Sequence, residues 1–262
     1  MTDAKDKDKE HTTCPFSKLK STTKLKSTTK LKSTTKIKST TKLKSTKLKN
    51  SKKTPCPIVN ALINAGELDP NCEWTMKELG NVLTENKLTS SMFSKFFAFI
   101  VSYPNLLSSP PTFKPLSLSV KTLQQHNTAI EHDVSLSRED YHLGDHIHYS
   151  DKRFKLIYKY FKDQKSITLK ELIEYVHYLY KKSKKENSKF NFKLKQWFSM
   201  LVEMVIIFTL LSENDHLNLK KLEKVFKKES IEDVKINTIT AVNYNVNMIK
   251  AIHFWTIATI VN

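Results

Sequence analysis

Only three glycines, Gly66, Gly80 and Gly144, are spread over 262 residues. Hairpin turns depend on the positive φ angles that glycine adopts freely, so this scarcity argues against a turn-rich β architecture. Helix signals fill the remaining space. Pro57 suits a first helical position and Gly66 a C-terminal cap, which predicts a short helix around 57–65. Capping-box spacings occur at Thr75/Glu78, Ser137/Asp140 and Thr168/Glu171. After Thr168, the residues Leu172, Tyr175, Val176 and Leu179 recur at helical spacing. Residues 191–211 read as a long apolar helix, Asn218 as the cap of Leu219–Lys228, and 235–262 as either helix or extended chain. Four prolines in Tyr103–Pro115 predict a loop. The expected fold class is all-α.

Charge divides the chain. Residues 1–54 hold 17 lysines against 4 acids, so +13 of the formal +18 lies there. From Leu19 to Lys44 the hexad L/I-K-S-T-T-K repeats, with too little apolar surface to offset the entropy of ordering. A disordered, low-complexity tail is expected over 1–53, followed by one helical domain over 54–262. The tail reads as a solvated extension or as a tether to an anionic polymer or lipid surface. The run Trp197–Leu211 is too short to span a bilayer and contains Glu203, which makes it a core helix rather than a transmembrane segment. Cys14, Cys56 and Cys72 cannot all pair, so a disulfide framework is not expected. The start lacks the apolar run of a secretory signal, and an intracellular location is the expectation.

Two groups carry chemistry. Cys56 lies between Pro55 and Pro57 at the predicted helix start, where the helix dipole and free N–H groups favour a thiolate. A buried, inert cysteine is the bland alternative, and Cys14-Pro15 repeats the dipeptide where there is no core. Glu131-His132-Asp133-Val134-Ser135 offers hard oxygens at close spacing, as magnesium or manganese requires. Its bland alternative is a polar stretch ahead of a helix starting at Ser137. Sulfur and hard oxygen do not suit one metal, so the two centres point to a haem-type site with an accessory cation. Glu203, set among apolar residues, would have its pKa raised by burial into the range of a general acid–base, unless it lies on an exposed helix edge. Asp145, His146 and His148 look like ligands but read better as a surface loop. Phe93, Phe96, Phe97 and Phe99 could line a channel or fill a core.

Pro55-Cys56-Pro57 with Asn60-Ala61-Leu62, Leu123-Gln124-Gln125-His126-Asn127, Ile130-Glu131-His132-Asp133, Ser135-Leu136-Ser137-Arg138 and Gly144-Asp145 resemble the haem-thiolate haloperoxidase and unspecific peroxygenase family. The similarity is to its short branch, with Glu-His-Asp in place of Glu-Gly-Asp, and covers most of 55–211. It implies a helical haem-binding domain and a peroxidase or peroxygenase that uses hydrogen peroxide on small organic substrates or halide. Cys56 would be the axial ligand of haem b iron. Glu131 and Ser135 through side chains, and His132 through its carbonyl, would hold Mg2+ or Mn2+ beside a haem propionate. Glu203 would be the distal acid–base residue, hydrogen-bonded by His132, which Asp133 would orient. Ala65-Gly66 replaces the family's His-Gly, and Gln196 stands where the long branch has arginine. Family members are often secreted, which opposes the intracellular expectation. Two other classes remain open: a haem sensor or buffer without turnover, and a basic-tail binding module on a degenerate scaffold.

Overall fold

Helix α1 (Pro57–Asn64) begins on a proline and ends on a Schellman turn. Gly66, at φ +75°, donates to the Ile63 carbonyl at 3.0 Å, and Glu67 to that of Leu62 at 2.9 Å. Only a residue tolerant of positive φ closes this turn cheaply. The computed structural model describes residues 52–91, 117–128, 130–162, 164–234 and 237–261. The repeat tail, Cys14, the four phenylalanines at 93–99 and the proline-rich loop lie outside the described residues. Residues Lys53–Asn262 cluster as one unit.

Local signals set most of the element starts. A two-residue ladder, β1 (Trp74–Thr75) with β2 (Ser117–Leu118), precedes α2 (Met76–Glu85), whose start is the reciprocal Thr75/Glu78 box. The single turn α3 (Val120–Leu123) follows. Helix α4 (Asp151–Tyr160), which no sequence signal announced, is capped by Ser150, which accepts from the N–H of Arg153. The Thr168/Glu171 box opens α5 (Leu169–Glu186), and α6 runs from Leu194 to Leu211, three residues later than expected. Strands β3 (Ser166–Ile167), β4 (Ser212–Glu213) and β5 (His216–Asn218) form an antiparallel sheet in the order β3-β5-β4. Asn218 caps α7 (Leu219–Lys228), α8 is the turn Ile231–Val234, and α9 (Ala241–Val261) resolves the ambiguous end as helix.

The protein is mainly helical. Its core centres on α5 and α6, with α9 packed on both. By length and composition α6 could cross a membrane, with 18 residues and mean hydropathy 1.6, but 72% of it is buried inside the protein. Fully burying a side chain such as Leu201 or Val205 stabilises by about 1.5–3 kcal/mol. That burial makes α6 a stiff platform for Glu203.

One expected start does not form. Ser137/Asp140 has capping spacing, yet 137–150 is irregular. Asp140 is buried and used elsewhere: its Oδ1 accepts from the Val134 N–H at 3.0 Å and the Arg153 guanidinium at 3.5 Å. The same guanidinium donates to the Ser135 carbonyl at 3.0 Å. A long-range anchor wins over a local cap.

Candidate active site

Cys56 occupies the N-cap of α1, at φ −90° and ψ 115°. A polar frame fixes that start. The Thr54 hydroxyl accepts from the Cys56 N–H at 3.2 Å, and Asn60 Oδ1 accepts from the Thr54 N–H at 2.8 Å and its hydroxyl at 3.0 Å. The Asn60 amide donates to Glu229 Oε1 at 2.7 Å, and Lys53 pairs with Glu229 Oε2 at 2.7 Å. Glu229 sits just past α7 in the left-handed region, φ +49°, and its carbonyl accepts from Asn64 at 3.0 Å. Sequence reading gave Glu229 and Asn60 no role, because their pairing spans 169 positions.

The expected thiolate is corrected for the bare protein. Burial pushes the Cys56 thiol up to about 11, outweighing the N–H groups of Val59 and Ile58 that pull it down. Glu203 and Arg138 also act on this sulfur electrostatically, the acid raising its pKa and the guanidinium lowering it.

Beside the Cys56 helix start is a small cavity of about 10 Å3, room for about one water, lined by Pro55, Ile130, Glu131, His132, Ser135, Arg138, His146 and Glu203 but not by Cys56 itself. His132 Nδ1 lies 2.7 Å from the Asp133 main-chain carbonyl. A carbonyl only accepts, so Nδ1 carries a hydrogen and Nε2 is the nitrogen turned to the cavity. That Nε2 is 3.6 Å from Glu203 Oε2, and it is buried with no hydrogen-bond partner. Burial raises the Glu203 pKa, against the opposing pull of His132 and Arg138. The Glu203 carboxyl and His132 Nε2 are therefore placed to share a proton after a small closure.

The Asp133 carboxylate does not orient His132. Its Oδ1 accepts from the Tyr141 N–H at 3.0 Å and its Oδ2 from Asn187 at 3.2 Å, so it braces the surrounding loop instead. Glu131 Oε2 lies 2.7 Å from His126 Nδ1 and accepts from the Asn127 N–H at 3.1 Å. Burial pushes Glu131 up to about 8 and His126 down to about 4. At neutral pH this pair is a carboxylic acid donating to an imidazole nitrogen. Between Glu131 and Ser135, Val134 is held at φ +72°, a strained conformation for a β-branched residue, worth about 1–3 kcal/mol. The Asp140 bond to its N–H and complete burial hold it there.

Arg138 is buried, donating through Nε to the Ile147 carbonyl at 2.7 Å and through Nη1 to Ser137 at 3.2 Å. Its Nη2 has no hydrogen-bond partner and lies 3.9 Å from Glu229. Glu131, His132, Ser135 and Glu203 thus share one cavity, with Pro55 tying it to the start of α1. Among the described residues no three His, Cys, Asp or Glu side chains converge as a self-contained metal site. Asp145 and His148 form an exposed pair at 2.8 Å, as a surface loop would. Gln196, buried, donates to the Asn127 carbonyl at 3.1 Å and brings no charge to the pocket.

The family model described as "Peroxidase, family 2" matches residues 45–242. The chain belongs to this family of chloroperoxidase-like peroxidases. No curated protein matches it. Membership makes it a peroxidase-type oxidoreductase acting with peroxide on organic substrates, and it implies a metal or haem cofactor. The donors present fit haem. A soft sulfur suits iron, the unpartnered Nη2 of Arg138 suits an anionic substituent, and the oxygens of Glu131 and Ser135 suit a hard cation.

Proposed function

We propose that the protein is a haem-thiolate peroxidase or peroxygenase that uses hydrogen peroxide to oxidise or oxygenate small organic substrates, with halide as a further reductant. The observation that carries this reading is the cavity beside the Cys56 helix start, where Glu203 and the unpartnered His132 Nε2 face each other. Cys56 would hold haem b iron, and Glu131, Ser135 and the His132 carbonyl would hold Mg2+ or Mn2+. Bound haem supplies redox chemistry with peroxide, and thiolate ligation favours O–O cleavage.

The chain's own residues handle the proton. As a carboxylate, Glu203 takes the proton from one peroxide oxygen and returns it to the other, so that water leaves. His132, whose Nδ1–H is held by the Asp133 carbonyl, sets Nε2 3.6 Å from Glu203 Oε2 and so positions that carboxyl. The Thr54–Asn60–Glu229 frame fixes where the sulfur starts. Because the bare thiol is protonated at neutral pH, iron binding must release its proton. The test is the ferrous–CO absorption spectrum. Cys56→Ala should lose the red-shifted band of thiolate ligation and Cys14→Ala should keep it; a band retained in both variants overturns the assignment.

The lysine tail is proposed as a tether, with the catalytic domain over 54–262. Its support is the +13 charge carried by residues 1–54. Deleting 1–53 should leave turnover of a small neutral substrate within about twofold. The deletion should abolish binding to an anionic polymer or lipid surface, binding that the full chain loses steeply with salt. Salt-insensitive binding would refute the tether.

A further inference from the structure

We propose a second oxidation site at the surface, Tyr141, which takes electrons from phenols too large for the cavity. The inference rests on the peroxidase reading above. Tyr141 is 42% exposed, beside the exposed Leu143, so its phenol can meet a substrate ring in solvent. On its inner side the ring stacks on His126 at 4.2 Å with planes 15° apart. His126 is hydrogen-bonded to Glu131, which lines the cavity. A second contact, edge-on at 4.7 Å, joins Tyr141 to His146, which lines the same cavity. Backbone bonds hold the ring in this position. The Tyr141 N–H donates to Asp133, and the N–H groups of Leu143 and Gly144 turn back to the Asp140 carbonyl.

Electron tunnelling falls exponentially with distance, so a stacked ring joined by one hydrogen bond to the cavity wall is a short route. Tyr160 and Tyr178 provide the contrast. They are as exposed, at 40% and 39%, but pack tilted on each other and on Tyr175, edge-on from Tyr160 and stacked from Tyr178, and none of these rings lines the cavity. Exposure alone does not single out Tyr141; contact with the cavity wall does.

The chemistry balances with hydrogen peroxide as oxidant. One electron leaves the Tyr141 phenol for the cavity, and its proton goes to bulk water. A substrate phenol then gives a hydrogen atom to the tyrosyl oxygen, breaking its own O–H bond and restoring Tyr141. Two such cycles supply two electrons and two protons, reducing one peroxide to two waters and releasing two phenoxyl radicals.

The test uses the haem-loaded full chain with two probes, free tyramine and tyramine coupled to dextran. Tyr141→Phe should lower oxidation of the dextran-bound phenol by at least about tenfold, leaving free tyramine within about twofold. Tyr178→Phe should change neither. With peroxide and a nitroso spin trap but no phenol, the trapped adduct should map to the Tyr141 peptide in the parent and vanish in Tyr141→Phe. Unchanged oxidation of the polymer by Tyr141→Phe, or an adduct at Tyr160, Tyr178, Tyr180 or Trp255 alone, overturns the surface site while leaving the peroxidase reading intact. A parent chain that oxidises neither probe overturns both.

Discussion

The frame behind Pro55 and the acid-bearing wall of the cavity solve different problems. On the thiol side each polar group of Thr54, Asn60 and Glu229 is matched, and the frame closes on itself without any ligand. On the acid side His132 Nε2, Arg138 Nη2 and Asn127 Oδ1 are buried without partners, and Val134 is strained. An unmet buried polar group costs roughly 1–3 kcal/mol. Proteins retain such groups where something must bind or move. The frame is built to stay fixed, the wall to be completed. Variants on the two sides should therefore separate stability from activity.

The largest effect is expected on the acid side, in rate. Glu203→Gln keeps the size and hydrogen bonding of the side chain but cannot shuttle a proton. Stopped-flow mixing with peroxide should show activation slowed by about 10²–10⁴-fold. The unfolding midpoint should hold or rise, because burial disfavours the charged form of this carboxyl. A variant as fast as the parent would remove Glu203 from the chemistry.

Next comes the thiol side, in stability. Glu229→Ala strips the counter-ion from Lys53, the acceptor from Asn60 and the nearest carboxylate from buried Arg138. Removing one partner of such a buried network costs about 3–5 kcal/mol. Urea unfolding should reveal the loss as a shifted midpoint at constant slope. Glu229→Gln, which keeps an acceptor for Asn60, should lose clearly less. Equal losses would mean that Glu229 contributes its charge rather than an acceptor in the frame.

A smaller effect separates the two by pH, in protein to which no cofactor has been added. Glu131 is raised to about 8, so its contribution to stability is full below its unfolded value, about 4.5, and is lost as pH rises toward 8. His126 is lowered to about 4, so stability instead grows as pH climbs from there to its unfolded value, about 6.5. The two trends oppose each other up to about pH 6.5. Above that only the Glu131 trend continues, and stability should drop by about 2 kcal/mol between pH 6.5 and 8. Raised pKa values at Asp133 and Glu203 act in the same direction. In Glu131→Gln the drop should shrink; a drop of unchanged size in thermal melts would place its source elsewhere.

How much of this was legible in the sequence follows from range. Thr75/Glu78, Thr168/Glu171 and Asn218 announce helix starts because each cap closes within three residues, and all three form. Ser137/Asp140 has the same spacing and fails, since Asp140 serves Arg153 and Val134 instead. Ser150 caps a helix without the acid partner that would have flagged it. Cys56 at the start of α1 could be read from two prolines, but not its protonation, which depends on what packs over the sulfur. Likewise Asp133 is an acid beside a histidine in the sequence, whereas folding turns its carboxylate to Tyr141 and Asn187 and leaves its carbonyl for His132. Glu229 and Arg153 act across the chain and leave no local trace.

The smallest effect probes the joint between the rigid helix and the strained loop. Gln196 lies in the first turn of α6, where its Oε1 accepts from the Lys193 N–H at 3.0 Å and its amide donates to the Asn127 carbonyl at 3.1 Å. Asn127 is itself at φ +62°, with its N–H on Glu131. Gln196 therefore links the helix that carries Glu203 to the loop that carries Glu131. Gln196→Met keeps the volume and removes both bonds. Each net hydrogen bond is worth about 1 kcal/mol, and the freed Asn127 carbonyl adds its own desolvation, so a loss of about 1–2 kcal/mol is expected in urea unfolding. If the joint also sets the cavity, the same variant should broaden the pH profile of peroxide activation, whereas Thr75→Ala, a cap of similar strength on α2, should leave that profile alone. Equal effects from both variants would mean that Gln196 only stabilises, and that the acid wall keeps its shape without it.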